Sequence, residues 1–525
     1  MLQLLLIASV LFGLFYHFFI RPMSYWKRLN VPQTKPWWFF GDSWGTVFKK
    51  HSFVDLTQYV YDAVPGSRYS GMYQFSVPTL LIKDPELIKQ VCVKNFDHFT
   101  DHRGAIPEEA DPLFGKNLFS LKGKRWRDMR SVVSPTFTSS KMKAMFILMS
   151  ECGQSFTKFF LDKNQDSLEV EMKDTFSRFT NDVIATTAFG VRTDSLKDPE
   201  NEFFMMGKDV TNFTYWKSMK FFLYITLPKL CAFIKLRFLS RSITTFFTNI
   251  IDETIKMREE KGIVRPDVVH VLMEARKGNL QKEEKALDVG FAVVEEAELG
   301  TSSVTEITNL DIAGHAMVFF FAGFDAVSTL MCFMCYELAI NKDVQDRLRE
   351  EIRSTFEKCN GKITYEALLK MQYMDMVVSE SLRKWPIAVM TDRVCTQPFT
   401  IDAKTPEETT LRIDAGTPIM IPNFAIHRDP KYYPDPDRFD PERFNDKNKK
   451  NIDCYTYIPF GVGPRNCIGS RFALMEVKVA FFHILLNFEL VPTAKTQIPL
   501  KISKSKLNIT AEGGFWFAMN RLEKI

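Results

Sequence analysis

A chain of 525 residues that is 46% hydrophobic and 25% charged has the balance of a globular protein with a large core, which excludes a disordered or fibrous chain. The net charge is only +5 and no long Lys/Arg block occurs, so nucleic-acid binding is set aside. Nine cysteines, an odd number without disulfide-like spacing, fit a reducing compartment in which most thiols are small buried hydrophobes.

The first twenty residues, Met1 to Ile20, carry no Asp, Glu, Lys or Arg. As a helix they would span about 30 Å, the thickness of a bilayer's hydrocarbon core. A cleaved signal peptide would show a basic start and a shorter apolar run, so a retained transmembrane signal-anchor is expected. Arg21, Lys27 and Arg28 follow, with Trp26 among them at the expected membrane interface. This positive flank keeps everything after it in the cytosol, on an endoplasmic reticulum membrane. Residues 21–36 read as a basic linker stiffened by Pro32 and Pro36, and residues 37–525 as one domain, because no low-complexity linker or internal repeat divides them.

Helix-like periodicity dominates from about Asp84 to Leu382, with strand-like pieces around Thr79–Ile82, Phe399–Ile401, Thr417–Pro422 and Phe515–Met519. The expected fold is therefore mainly α with a small β region, preceded by one N-terminal transmembrane helix. The chain holds 48 phenylalanines, enough to line an apolar cavity, although core packing accounts for most of them. Asn201 to Ser240 mixes Phe, Met and Leu with lysines; it is too charged to span a bilayer and suited to rest on one or to cover a cavity.

Thr308 or Asn309 can cap a helix running to about Asn341, with Asp311 in its first turn. Its centre, Met317 to Gly323, is apolar on every face, as expected of a helix buried through the middle of a large protein. An acid, Asp325, interrupts this stretch, and such a group is costly there unless it is used. The pair Cys332 and Cys335 lies in the same apolar run and reads as core packing. Downstream, Glu380 and Arg383 sit at i, i+3 on one helix face.

Phe460-Gly461-Val462-Gly463-Pro464-Arg465-Asn466-Cys467-Ile468-Gly469 carries the most chemistry. Its glycines allow tight turns and close backbone approach. Cys467 precedes the helix-like run Ser470 to Leu486, whose N-terminal N–H groups favour a thiolate over a thiol. The first two glycines hint at a dinucleotide loop, but the third is missing and no strand–loop–helix unit follows. A zinc site would need more than the nearby Cys454.

The run matches Phe-x-x-Gly-x-Arg-x-Cys-x-Gly at every fixed position, and in this the chain resembles the cytochrome P450 superfamily. The resemblance implies the P450 fold, a haem b with Cys467 as axial thiolate ligand to iron, and insertion of one oxygen atom of O2 into a lipophilic substrate. Phe460, Arg465 and Gly469 would line the haem, and Arg465 would reach a propionate. Trp126-Arg127-Asp128-Met129-Arg130 is similar to the family's Trp-x-x-x-Arg helix, so Trp126 and Arg130, with Arg393 by its position, would also bind propionates. Glu380 and Arg383 with Arg443 resemble the buried network that fixes the cysteine loop, a structural rather than catalytic role.

Ala322-Gly323-Phe324-Asp325-Ala326 is similar to the oxygen-binding motif Ala-Gly-x-Asp/Glu-Thr. By that resemblance Ala322 and Gly323 leave room for O2 and Asp325 relays protons. Ala326 replaces the family's threonine, and Ser328 and Thr329 lie too far round the helix to substitute for it. Family position offers Phe114, Phe213, Phe320, Phe321, Ile387, Val389 and Phe517 as substrate contacts; each reads equally as core.

With no flavin or nicotinamide fold in the chain, electrons must come from a separate membrane-bound NADPH–cytochrome reductase, with cytochrome b5 as a possible helper. Lys122, Lys124, Arg125 and Arg127 would meet such an acidic partner, or form an ordinary solvated face. Motif order most resembles insect detoxification families, particularly those of moths and butterflies, which implies foreign compounds such as plant toxins or insecticides as substrates. Two rivals are kept: a haem-thiolate isomerase or dehydratase, and a non-catalytic lipophile-binding protein.

Overall fold

The computed structural model describes residues 1–103, 106–212, 215–265, 267–278, 290–292, 306–406 and 408–523. An N-terminal helix, α1 (Leu2–Arg28), is long and apolar enough to cross a membrane, and none of its most apolar window is buried against the protein. It runs past Ile20 into the segment expected to be linker. Trp26 is the surprise: it was expected at a membrane surface, yet it is 1% exposed. Its indole lies where a Cβ on Gly71 would sit, and Nε1 donates to Met72 O at 3.3 Å. Met23, Trp26 and Val31 thus join the core beside the sheet, so the body of the protein starts before residue 37.

Two strands follow, β1 (Tyr69–Gln74) and β2 (Val77–Ile82), paired antiparallel. The helical body comprises α2 (Gly123–Val133), α3 (Ser139–Leu161), α4 (Met172–Ile184), α5 (Glu202–Thr211), α6 (Tyr215–Thr226), α7 (Pro228–Phe233) and α8 (Arg241–Lys261). Between α3 and α4 lies β3 (Ser167–Glu171). Then come the long central helix α9 (Asn309–Ile340) and α10 (Gln372–Lys384). Of the two caps expected for α9, Thr308 is the one used, and it forms a capping box with Asp311: Asp311 N donates to Thr308 Oγ1 at 3.2 Å, and Thr308 N to Asp311 Oδ2 at 2.9 Å.

After α10 come β4 (Thr391–Val394), β5 (Phe399–Ile401), β6 (Leu411–Ile413) and β7 (Pro418–Ile421). Helix α11 (Ser470–Asn487), β8 (Phe488–Pro492) and β9 (Trp516–Arg521) complete the chain. One sheet has the order β1-β2-β7-β4, a second β3-β9-β8, and β5 pairs with β6. The fold is mainly α with small sheets, as expected. Gly153 on α3 admits the His483 ring of α11, where a Cβ would be 2.5 Å from the imidazole, so these two helices pack closely through the core.

One surface is strongly apolar. A tight turn, closed by Trp37 N to Gly41 O at 3.0 Å, leaves Trp38 74% exposed. Phe233 at the end of α7 is 85% exposed and Trp216 on α6 is 74% exposed. Aromatic contacts join these parts: Phe19 of α1 meets Phe39 at 5.0 Å, Phe39 meets Phe75 at 6.3 Å, and Phe75 meets Phe222 of α6 at 5.4 Å. Large exposed aromatics gathered beside an unburied apolar helix mark a face built for a non-aqueous neighbour.

Candidate active site

The cysteine loop is held by its own backbone. Gly461 and Gly463 take φ of +73° and +75°, and a Cβ on Gly463 would overlap the carbonyl oxygen of Cys92, so this position accepts only glycine. Cys467 N donates to Phe460 O at 2.9 Å, and Asn466 N to Gly463 O at 2.9 Å. Arg465, Asn466 and Ser470 are buried, while Cys467 between them is open. Phe460 and Gly469 are half-buried, with no atom within 4 Å of a Cβ built on Gly469. The protein packed around the loop pushes the Cys467 thiol up through desolvation, opposed by the Gly469 N–H and the charge of Arg130, although the residue itself keeps an open face. Among the described residues no group of three or more His, Cys, Asp or Glu side chains is arranged to hold a metal ion.

Around this loop the fold gathers arginines. Arg465 donates to Thr100 O at 2.7 Å, Leu118 O at 3.2 Å and Leu121 O at 2.7 Å, and lies 4.0 Å over the ring of buried Trp126. Arg130, expected as a propionate donor, donates to Asn466 O at 2.9 Å and Asn466 Oδ1 at 2.7 Å, so it ties α2 to the cysteine loop. Arg393 is fully buried; it donates to Asp392 O at 2.7 Å and Val462 O at 3.4 Å, and its Nε has no partner.

Sequence reasoning missed the neighbours. Asp392 accepts from His102 Nδ1 at 3.0 Å and Arg103 N at 2.5 Å, and Asp101 lies 3.9 Å from Arg465. Burial, then the nearby Arg393, pulls Arg465 down to about 9; burial pulls Arg103 down to about 10. Burial likewise lowers His102, against the pull of Asp392. Arg103, Arg393 and Arg465 thus gather beside the carboxylates of Asp101 and Asp392. A ligand carrying carboxylates suits such a set of buried guanidinium groups, and the buried Arg393 Nε, without a partner among the described residues, is a donor suited to one.

The expected three-residue network is present. Arg383 donates through Nε and Nη2 to the two oxygens of Glu380 at 2.9 and 2.7 Å, with both side chains 0% exposed. Its remaining donors reach Pro436 O at 2.6 Å, His427 O at 3.3 Å and Arg438 O at 3.2 Å. Asp440 N adds 2.9 Å to Glu380 Oε1, and Arg443 Nε stands 3.6 Å from the same oxygen. Burial raises Glu380 despite Arg383, so desolvation outweighs the pair and the carboxylate depends on keeping every donor. The network reaches the cysteine loop through Ile458 N, which donates to His427 Nε2 at 2.9 Å, and Tyr457 OH, which donates to Ser379 O at 2.9 Å.

In α9 a wider turn, Gly323–Val327, interrupts the α-helical ladder. Its loosened carbonyls are satisfied by side chains: Phe324 O accepts from Thr180 Oγ1 of α4 at 2.9 Å and from Ser328 Oγ of α9 itself at 2.7 Å, and Asp325 O accepts from Lys173 of α4 at 3.2 Å. Asp325 is not an isolated acid. Its Oδ1 pairs with Lys173 at 2.9 Å and its Oδ2 accepts from Asn508 Nδ2 at 2.7 Å. Lys173 also donates to Ser328 Oγ at 2.8 Å and Thr329 Oγ1 at 2.7 Å, so those hydroxyls are engaged with it. Ala322 is exposed in mid-helix and Ala326 half-buried. Gly323, expected to leave room for a ligand, is small for another reason: a Cβ there would lie 3.1 Å from Ile184 Cδ1 on α4.

The candidate substrate contacts divide. Phe320 is fully buried in a packed cluster with Phe189, Phe203, Phe247 and Phe324. Val389 is 4% exposed, and Phe517, 1% exposed, packs on Tyr336 at 6.5 Å. These three are core, because neighbouring side chains cover the surface a ligand would need. Phe321 and Ile387 are half-buried, as is Phe114, which meets Phe238 at 5.3 Å. Phe213 lies outside the described residues. Phe119, not expected, is 47% exposed and stacked on His102 at 4.6 Å. Among the basic residues of α2, Arg125 pairs with Glu108 and Asp311, Arg127 with Asp97, and Lys124 with Asp128, so this face is partly neutralised within the chain.

The family model described as Cytochrome P450 matches residues 31–516. The chain is 48% identical over 511 residues to a protein of Blattella germanica named "Cytochrome P450 9e2", covering 94% of this chain and 93% of that one. It is 39% identical over 517 residues to "Probable cytochrome P450 9f2" of Drosophila melanogaster, covering 97% of each. "Cytochrome P450 6k1" of Blattella germanica is 38% identical over 512 residues, covering 97% of this chain and 95% of that one.

Proposed function

Because the chain belongs to the cytochrome P450 family of haem-thiolate monooxygenases, we propose that it oxidises lipophilic small molecules, foreign compounds such as plant toxins or insecticides among them, on haem b ligated by Cys467. The carrying observation is an open Cys467, flanked by buried Arg465, Asn466 and Ser470, beside a cluster of buried arginines in which Arg393 Nε has no partner among the described residues. Electrons come from a separate NADPH-dependent reductase, with cytochrome b5 as an auxiliary donor. The body faces the cytosol from the endoplasmic reticulum, with α1 as the anchor.

The haem supplies dioxygen binding, oxygen–oxygen cleavage and transfer of one oxygen atom, and the chain's residues govern the rest. Arg103, Arg393 and Arg465 would hold the propionates, and the buried Arg393 Nε, which has no partner among the described residues, is suited to one of them. Arg130 and Asn466 fix the loop that presents Cys467. Ala322 offers an open, small face on α9. Asp325 holds a proton site between Lys173 and Asn508 at the loosened turn, and delivers protons inward by exchanging these partners for water. Phe119, Phe114, Phe321 and Ile387 supply apolar substrate contact.

A threonine hydroxyl at position 326 would hold a water between Asp325 and the reacting oxygen; Ala326 cannot. The wild type is therefore expected to release much of its reducing power as hydrogen peroxide. Ala326→Thr should raise product per NADPH, and even a small share of the ~10²–10⁴-fold that positioned proton transfer contributes is measurable. Comparing NADPH, peroxide and product for both proteins on one substrate decides it; a well-coupled wild type with no gain from threonine contradicts the expectation.

The apolar face beside α1 gives a second expectation. A chain lacking Met1 to Ile20 should keep its haem and still bind vesicles weakly through Trp38, Trp216 and Phe233. Burying one large apolar side chain contributes about 1.5–3 kcal/mol, so Phe233→Ser in that background should lower partitioning roughly tenfold or more. Unchanged vesicle sedimentation would show that this face meets no lipid. The proposed activity is tested by reconstituting the protein with reductase and NADPH against a lipophilic chemical library, with products identified by mass. Spectral shifts without any oxidised product would make the protein a ligand binder.

A further inference from the structure

Three residues, Gly290-Phe291-Ala292, dock on the network behind the cysteine loop in a way no catalytic role explains. The Phe291 ring lies 5.2 Å from Phe444, the residue after Arg443, and 5.4 Å from Tyr457, three residues before Phe460. Those two rings are 4.9 Å apart, and Tyr457 stacks on His427 at 5.6 Å. Phe291 therefore closes an aromatic stack whose far end, His427, accepts from Ile458 N of the cysteine loop. The main chain is pinned as well. Phe291 N donates to Asp375 Oδ2 at 3.0 Å, while Asp375 Oδ1 pairs at 2.9 Å with Lys478, which is fully buried on α11. Gly290 has φ of +142°, and a Cβ there would overlap Asp375 Oδ1, so the approach requires glycine.

Asp375 thus joins three bodies: α10, which carries Glu380 and Arg383; α11, which begins three residues after Cys467; and Phe291. Lys478 neutralises the carboxylate from the α11 side, and the Phe291 amide fixes its other oxygen. A ring packed against both Phe444 and Tyr457, which also touch each other, resists their sliding apart, and that motion would let the cysteine loop drift from the geometry that presents Cys467.

We propose that Phe291, pinned through Gly290 on Asp375, is a positioning residue that keeps the Cys467 loop in its thiolate-ligating geometry. The proposal rests on Cys467 being the axial ligand. Loss of the wedge loosens the loop locally, so a protonated, displaced Cys467 becomes easier to reach while the helices stay folded.

The test uses full-length holoprotein as wild type, Phe291→Ala, Phe291→Leu and Gly290→Ala. The ferrous carbonyl spectrum, followed at a fixed warm temperature, gives the rate at which the thiolate-type band converts to the thiol-type band, and far-ultraviolet circular dichroism follows the helices. Phe291→Ala and Gly290→Ala are expected to convert about tenfold faster, the fold-change equivalent to ~1.4 kcal/mol, with unchanged helix content. Phe291→Leu, which refills most of the space, should return to within roughly threefold of wild type. Conversion at the wild-type rate in all variants overturns the proposal. So does a loss of the thiolate band that keeps step with loss of helix, since that is only general destabilisation. A wild type that never shows the thiolate band overturns the ligand assignment instead, and the latch with it.

Discussion

Cys467→Ser is expected to abolish the red-shifted carbonyl band and all oxygenation, even where the variant still takes up haem. Serine matches the size of cysteine, so the loop held by Gly461, Gly463 and the Cys467 N to Phe460 O bond should persist. What is lost is the donor: an alkoxide is far less accessible than a thiolate, and its oxygen gives little electron density to iron. Carbonyl difference spectra of the two proteins at equal haem content check the result, and an unchanged band in the variant would mean that another residue holds the iron.

The next largest effect is expected from the Glu380–Arg383 pair. Both side chains are fully buried, and burial already pushes Glu380 toward its neutral form. Arg383→Ala strands that carboxylate and also leaves the carbonyls of His427, Pro436 and Arg438 without their donor. Glu380→Ala leaves Arg383 as an uncompensated cation. Breaking one side of a buried pair typically costs about 3–5 kcal/mol, a large share of a domain's net stability of ~5–15 kcal/mol. Either variant should give little holoprotein, while the surviving fraction turns over near the wild-type rate. Haem content per mole of protein and turnover per mole of haem separate the two; normal haem content with slow turnover would make the pair catalytic.

The parts of this molecule that were readable in the sequence are those whose determinants are contiguous. The cysteine loop is ten adjacent residues whose glycines and helix-proximal thiol each have a local reason. Helix α9 announced itself through Thr308, Asp311 and an apolar stretch too long to be a surface helix, and the capping bonds form as expected. The widened turn at Gly323–Val327 was not readable, because what stabilises it is Thr180 and Lys173, brought from α4 by the fold. The same holds for the cationic cluster. His102 and Asp392 are 290 residues apart, and pairing of the two segments, by the bridge between Asp101 and Val394 and the bond from Thr396 N to His98 O, brings them together.

Aromatic residues misled for a related reason. Phe320, Phe321 and Phe517 look alike in sequence, yet packing alone decides which face of an all-apolar helix or strand meets a cavity. Trp26 followed an anchor and carried basic neighbours, the pattern of an interfacial residue, but Gly71 on β1 leaves a slot that its indole fills. Tyr69–Gln74 lacks a strict polar–apolar alternation, and Ser167–Glu171 alternates over only five residues, a run too short to register.

The central claim is that this chain inserts one atom of molecular oxygen into an apolar substrate by way of Cys467-ligated haem. The most direct measurement is turnover under isotopically labelled dioxygen in ordinary water, with reductase and NADPH, on whichever library compound gives most product. The account predicts a product heavier by one labelled atom, formed in proportion to wild-type haem and absent with Cys467→Ser. A product carrying unlabelled oxygen, or one rearranged without any added oxygen and formed without reductase, would contradict it.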